Sequence, residues 1–534
     1  MLKLSRCVCW LPALALLMFA FDAQAQSFRV QCPSSTALHP LVNGSGQVST
    51  DVGATGPFDQ PNPHIKCQQV SGGDGFATMG DGTQTYLFSF GPLSGLSEIV
   101  NGRPGTLTAK EFNKSNVDAA NGAVDGDGVL AAVKIGAPDS AAYDFNGAIG
   151  LVPNPENDLL DGHVDPRLIM DVGVMNGHIP APRIAIDEGD ELFLTLTNVG
   201  MVMRPDLFEQ HTVHFHGYAN ASAFYDGVPD ASVAINVGGS FTYYYLAPEP
   251  GTYMWHCHIS PPEHLQMGMV GQLYVRPKQN SVTGDLRTAL QAANKASAIS
   301  GDGTTCNDVL CAGQTPLPAG NATAVANGKK YAYNDGDGST AYDVEYPIQL
   351  HGFDPNFHFV GMTFNPESFA DNKDKFFLMN GRSYPDTINP DALSTQATDG
   401  TPHFSQPLSS LITIPEGGKA LIRFSDLNVT EYHTLASLGI PMHVVGYNAR
   451  LLRDLDGNNM DYYTNSISLA GGESADVILD ASVKNADGSL VYPVGSTFYI
   501  YTPQLDHLSN DAENFGGMMT EVHIVAKPSN VATN

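Results

Sequence analysis

Two stretches decide the reading: HTVHFHG (His211–Gly217) and GTYMWHCHISPPEHLQMGM (Gly251–Met269). On a strand, residues two apart share a face. His214 and His216 therefore point one way, and His256 and His258 do the same, while Cys257 between the latter pair points to the opposite side. A bend before His214 carries His211 to that opposite side, and the loop after His258 can bring His264 and Met269 there. Working outward, MNGHIPAP (175–182), IAIDEGDELFLTLTN (184–198), GGSFTYYYLAPEP (238–250) and GQLYVRP (271–277) continue the alternation of apolar and polar residues between Gly, Pro and Asn turn signals. That spacing predicts a β-sandwich over residues 166–277.

Composition agrees. Of 534 residues, 42% are hydrophobic and only 15% charged, with 54 Gly and 35 Pro, which suits a turn-rich all-β chain and disfavours helical bundles and coiled coils. The formal charge of −29 excludes a nucleic-acid partner held by a general basic surface. Lys3 and Arg6 precede an apolar run from Cys7 to Phe21 and then Ala23-Gln24-Ala25, so residues 1–25 read as a secretory signal peptide. The run is short of the roughly 20 residues a bilayer span needs. An exported chain, periplasmic or extracellular, with no membrane span after leader removal, is expected. Beyond the leader stand Cys32, Cys67, Cys257, Cys306 and Cys311. Cys32 with Cys67 and Cys306 with Cys311 are expected disulfides in that compartment. Cys257 is left over, and its place between two histidines makes metal ligation its leading role.

Residues 26–165 are Gly-, Asp- and Asn-rich and read as an N-terminal extension carrying an edge strand at Thr85–Gly91. Residues 278–340 read as a linker. A second unit, 341–534, repeats the landmarks of the first in order. Asn176-Gly177 with Pro180 matches Asn380-Gly381 with Pro385, and IDEGDELFLTLTN matches IPEGGKALIRFSDLN. HTVHFHG matches IPMHVVG (Ile440–Gly446), and GTYMWHCH matches STFYIYTP, each of the last pair followed by a His and a Gly-Met pair. Two units of one fold are expected.

His211, Cys257, His264 and Met269 form the ligand set of a blue-copper site, two imidazoles and a thiolate with a weak axial thioether; Met267 competes for the axial place. His214, His216, His256 and His258 form a histidine half-site on the other side of the same strands. Zinc is the rival metal, although a lone Cys with a Met is not a usual closed zinc set.

These motifs resemble the multicopper oxidase family, which is built from Greek-key cupredoxin sandwiches and includes laccases; the resemblance spans MNGHIPAP to EVHIV. It implies type 1 copper on Cys257 and a type 2/type 3 copper cluster on the flanking histidines, where dioxygen is reduced. It further implies one-electron oxidation of a phenol or a reduced metal ion. The second unit departs from the pattern. Its HCH equivalent is Tyr501-Thr502-Pro503, and of the remaining ligands His443 and His507 are the obvious contributors, with Met518 or Met519 following. A copper nitrite reductase, with His507 as its late histidine, and a non-catalytic copper or electron carrier remain as alternatives. Assembly with a second copy is compatible with a half-site on one unit. Asp226-Gly227 reads as a turn with no catalytic role.

Overall fold

The structure is a computed structural model and describes residues 29–114, 145–152, 161–217, 222–247, 249–284, 330–361, 368–396, 402–454 and 458–527. The leader and the Cys306–Cys311 pair lie outside the described residues. Cys32 and Cys67 are joined by a disulfide.

The first sandwich is built from β1 (Ile65–Thr78), β2 (Gln84–Pro92), β3 (Ile184–Asp187), β4 (Glu191–Gly200), β5 (His214–Phe215), β6 (Ser240–Leu246), β7 (Gly251–His256) and β8 (Val270–Arg276). One sheet runs β2-β1-β4-β6 and the other β3-β8-β7-β5. The strands β1 and β4 are parallel, as are β3 and β8, and the other pairs are antiparallel. Inward-facing Val70, Phe88, Leu194, Tyr243, Trp255 and Leu273 fill the space between the sheets, as alternation on facing sheets requires. Within the segment read as an extension, β2 is the edge strand and β1 lies inside the sheet. The outer face of that sheet is also covered: Ile65, Cys67, Leu96, Phe112, Ile149 and Leu168 form a second apolar layer. This explains why β4 is buried along nearly its whole length despite its alternating sequence.

The second sandwich uses β9 (Val344–Phe353), β10 (Phe376–Met379), β11 (Ile412–Pro415), β12 (Lys419–Asp426), β13 (His433–Leu438), β14 (Met442–Tyr447), β15 (Glu473–Asp480), β16 (Thr497–Tyr501) and β17 (Met519–Val525). Its sheets run β10-β9-β12-β15-β14 and β11-β17-β16-β13, the order of the first sandwich with β14 added. The parallel pairs recur at β9 with β12 and β11 with β17.

Register fixes the correspondence. His214 lies opposite His256 in the first sandwich, and Ala436 lies opposite Tyr501 in the second; His256 lies opposite Val270, and Tyr501 opposite Met519. The counterpart of HTVHFHG is therefore HTLASLG (433–439), and not IPMHVVG as the sequence comparison suggested. IPMHVVG supplies β14, which pairs with β15 in the other sheet.

Buried polar contacts join the sandwiches. Arg423, fully buried, lies between Glu345 and Asp476. Thr252 of β7 donates to Asp476 at 2.6 Å, and Gln272 of β8 donates to the Arg423 carbonyl at 2.8 Å.

Candidate metal centre

Cys257 follows β7 and is completely buried. His264 Nδ1 lies 3.2 Å from its sulfur, and the Thr212 amide donates to the same sulfur at 3.4 Å. His211, Cys257 and His264 offer ligand atoms all within 4.8 Å of one another. His211 is placed by a two-way backbone bridge to Ile235. Its ring lies against Gly72, where an added Cβ would come within 2.6 Å of His211 Cδ2. His264 is returned to the site by the short helix Pro261–Gln266, started by two prolines and by Ser260 in a left-handed conformation. Met267 and Met269 are both fully buried in the same cluster as Cys257, and Met269 accepts from the Cys257 amide at 3.2 Å.

Burial pushes the Cys257 thiol up, but His264 and His211 outweigh it and hold the group well below the ordinary thiol range. For His264, burial works downward, and the neighbouring sulfur and Glu209 raise it to about 9. His211 is depressed, chiefly by burial. A fully buried imidazole with neither ring nitrogen hydrogen-bonded, as His211 has, is costly by about 1–3 kcal/mol. A soft cation bound between His211, Cys257 and His264 removes that cost. This donor set fits copper.

On the opposite side of β5 and β7, His214, His216 and His256 bring ligand nitrogens within 4.8 Å. His214 Nδ1 donates to the Asp226 carbonyl and His256 Nδ1 to the Cys257 carbonyl, each at 2.7 Å. Metal-binding histidines characteristically commit one ring nitrogen to a backbone carbonyl so that the other is free for the ion. The freed His256 Nε2 lies 2.9 Å from His216 Nε2. His258 joins the group, its ring centroid 5.1 Å from that of His214. Burial lowers His216 to about 4 and His256 to about 3, leaving both as neutral ligands at neutral pH. A cavity of about 440 Å³ opens beside His214 and His216; its far wall is Asn448, Ala449, Gly472 and Ser474 of the second sandwich. Asp226, read from the sequence as part of a turn with no catalytic role, also lines it, its carboxylate 3.7 Å from His214 Nδ1.

Neither His443 nor His507 enters these clusters. His443 on β14 stacks on Tyr463, its Nε2 3.1 Å from Asp461. His507 stands in the second sandwich beside His433, their centroids 5.8 Å apart. The sequence offers His433, His351 and His358 only as further histidines of the second unit, with the ordinary role of loop or core residues, because it places the motif on IPMHVVG. By register, His433, Thr502, His507 and Met518 occupy the places of His211, Cys257, His264 and Met269. Thr502 donates its amide to Met518 as Cys257 does to Met269, and Met518 donates to the His507 carbonyl as Met269 does to that of His264. His351 and His358 are buried core residues, the latter bonded to the Tyr86 and Gln266 carbonyls.

Paired sandwiches of this topology, one carrying a Cys-His site backed by a histidine cluster, define a cupredoxin-type protein. Residues 162–280 match the multicopper oxidase family model. Multicopper oxidase MCE of Talaromyces pinophilus is 35% identical over 112 residues, 21% of this chain and 17% of that protein. Multicopper oxidase MmcO of Mycobacterium tuberculosis is 38% identical over 81 residues, 15% and 14% of the two chains. The chain thus spans less than a fifth of the length of these curated relatives. The blue copper oxidase of Nitrosomonas europaea is similar in structure, with a TM-score of 0.45 and 16% identity over 86% of this chain and 85% of that one.

Proposed function

We propose that this chain is an exported copper-dependent oxidoreductase that oxidises a phenol or a reduced metal ion one electron at a time and passes the electrons to dioxygen. The observation that carries the reading is that one tripeptide, His256-Cys257-His258, belongs to two ligand clusters facing opposite ways. His211, Cys257 and His264, with Met269 beside them, would hold one copper; His214, His216, His256 and His258 would hold the rest. Copper, when bound, supplies reversible one-electron chemistry. On this reading residues 166–277, completed by β1 and β2, are the metal-binding unit, and 341–534 is a partner that has lost its thiolate.

The residues divide the work. Full burial of Cys257 keeps water and competing oxidants from the thiolate. His264 is fully buried, and its Nε2 lies 3.6 Å from the partly exposed Glu209, whose carboxylate suits a cationic or hydroxyl-bearing reductant. The Asp226 and Cys257 carbonyls hold the His214 and His256 rings in place, and the cavity at His214 gives a small oxidant access.

A second reading has one observation in its favour: the cavity wall facing His214 and His216 carries no histidine among the described residues, which matches a mononuclear site such as a nitrite reductase uses. The test is oxygen uptake by the copper-loaded protein with a phenol or ferrous ion, run beside anaerobic nitrite turnover. Oxygen uptake lost in Cys257→Ser supports the oxidase; nitrite turnover without oxygen uptake replaces it with the second reading.

A further inference from the structure

The loop that returns His264 and Met269 to Cys257 is held from outside its own sandwich. Of the six residues in the helix Pro261–Gln266, His264 and Gln266 are the buried ones. Two positions apart on a helix, they face different sides: His264 turns to the sulfur, and Gln266 turns to the second sandwich. Gln266 Nε2 donates to Asp374 Oδ1 at 2.7 Å and to Asn372 Oδ1 at 3.1 Å. His358, in the helix Pro355–Gly361, places its Nε2 2.9 Å from the Gln266 carbonyl oxygen. Side chain and backbone of one residue, standing between His264 and Met269, are therefore both engaged by the second sandwich.

Asp374 has the surroundings this contact needs. It is 6% exposed, and burial pushes its carboxyl up to about 6, so at neutral pH it is a buried carboxylate, a group tolerated only where hydrogen bonds satisfy it. Oδ1 accepts from Gln266, and Oδ2 accepts from Asn428 Nδ2 at 3.0 Å and from Thr430 Oγ1 at 3.3 Å. Gly352 of β9 leaves the seat open, since a Cβ there would come within 2.3 Å of Asp374 Oδ2. Hydrogen bonds to an ionised acceptor are shorter and stronger than neutral ones. On the opposite side, the Cys257 amide donates to the Met269 carbonyl, and Ser89 Oγ lies 2.6 Å from the Gly268 carbonyl oxygen. The ligand loop is clamped between the two sandwiches, with Gln266 as the contact to the second.

We propose that Asp374 is a positioning residue for the Cys257 centre: acting through Gln266, it lets the second sandwich set where His264 and Met269 stand around the metal. Groups that orient the ligands of a metal tune it without touching it. The effect on copper rests on the reading of Cys257 as a copper ligand; the tether of the loop does not.

The test compares full-length wild type with Gln266→Met, Asp374→Ala and Asp374→Asn, the fold of each checked by far-ultraviolet circular dichroism. In the metal-free protein, hydrogen exchange at the Met267, Gly268 and Met269 amides is expected to quicken about tenfold or more in Gln266→Met and Asp374→Ala. Asp374→Asn, whose amide oxygen still accepts from Gln266, is expected to stay within about twofold of wild type. In the copper-loaded protein, the ratio of oxidised to reduced blue copper at a fixed redox poise is expected to change by roughly threefold or more in the first two variants and to return in Asp374→Asn. Unchanged exchange in Gln266→Met, which keeps the volume and removes only the donor, would overturn the tether. Faster exchange with an unchanged copper ratio would overturn its role at the metal, as would equal effects of Asp374→Ala and Asp374→Asn. A wild type without blue copper would count against the copper reading, and the exchange rates would still decide the tether.

Discussion

Gly72 and His211 show how much of the centre depends on what is missing. The ring of His211 occupies the space a side chain at position 72 would need, so Gly72→Ala should turn that ring away from Cys257. The expected result is a weakened or shifted thiolate-to-copper absorption with a stability loss of about 1–3 kcal/mol, read by visible spectroscopy and urea denaturation. Replacement of the thiol itself has a cleaner outcome. Cys257→Ser should abolish the intense blue absorption and leave the far-ultraviolet circular dichroism unchanged, because serine fills the same space without a soft donor. At this scale the grouping of the first sandwich's histidines and Cys257 on two sides was legible, since odd and even offsets along a strand assign faces without any tertiary information. Glu209 and Gly72 were not legible: each meets the site through proximity across the fold, and nothing in its local sequence distinguishes it from a surface acid or a turn residue.

The strand pair β5 and β7 is the element on which both clusters rest, and its register is protected by Gly227. That glycine has φ +80°, and a Cβ there would lie 2.0 Å from the Val213 carbonyl oxygen. Gly227→Ala should therefore displace the chain just before β5, lower stability by about 1–3 kcal/mol, and release copper from the histidine cluster more readily than from Cys257. Metal analysis with spin resonance distinguishes the two pools. The repeat was legible in outline because sandwich strands recur with the same turn punctuation. The misassignment of β13 arose because His443 in IPMHVVG imitates the spacing of a ligand strand, whereas HTLASLG keeps its first histidine and loses the other two to Ala436 and Leu438. Only sheet membership, which is a long-range property, separates the two.

Across the whole molecule, the sandwiches are held together by buried charge. Glu345 is pushed up by burial, but Arg423 and Arg276 outweigh this and hold it at about 2 against an ordinary value of 4.5. A carboxyl depressed on folding contributes stability that is present above its unfolded value and lost as pH falls through the folded one. Urea denaturation between pH 5 and 2 should therefore show a fall in stability that is shallower in Glu345→Gln. Asp476→Ala, which removes one of the carboxylates beside the buried Arg423 and the acceptor of Thr252, should cost about 3–5 kcal/mol; a change below 1 kcal/mol in the same assay would show that the network contributes little. The sequence could not reveal this interface, because residues of β7, β9, β12 and β15 meet there from distant parts of the chain. The central claim, that one thiol and its two neighbouring imidazoles serve separate copper sites, is tested most directly by spin resonance and visible spectroscopy on copper-loaded wild type beside His214→Ala and Cys257→Ser. The account predicts a blue signal that survives the first substitution and vanishes with the second, together with a non-blue signal that does the reverse. A wild type with no blue signal, or the joint loss of both signals in His214→Ala with the fold intact, would contradict it.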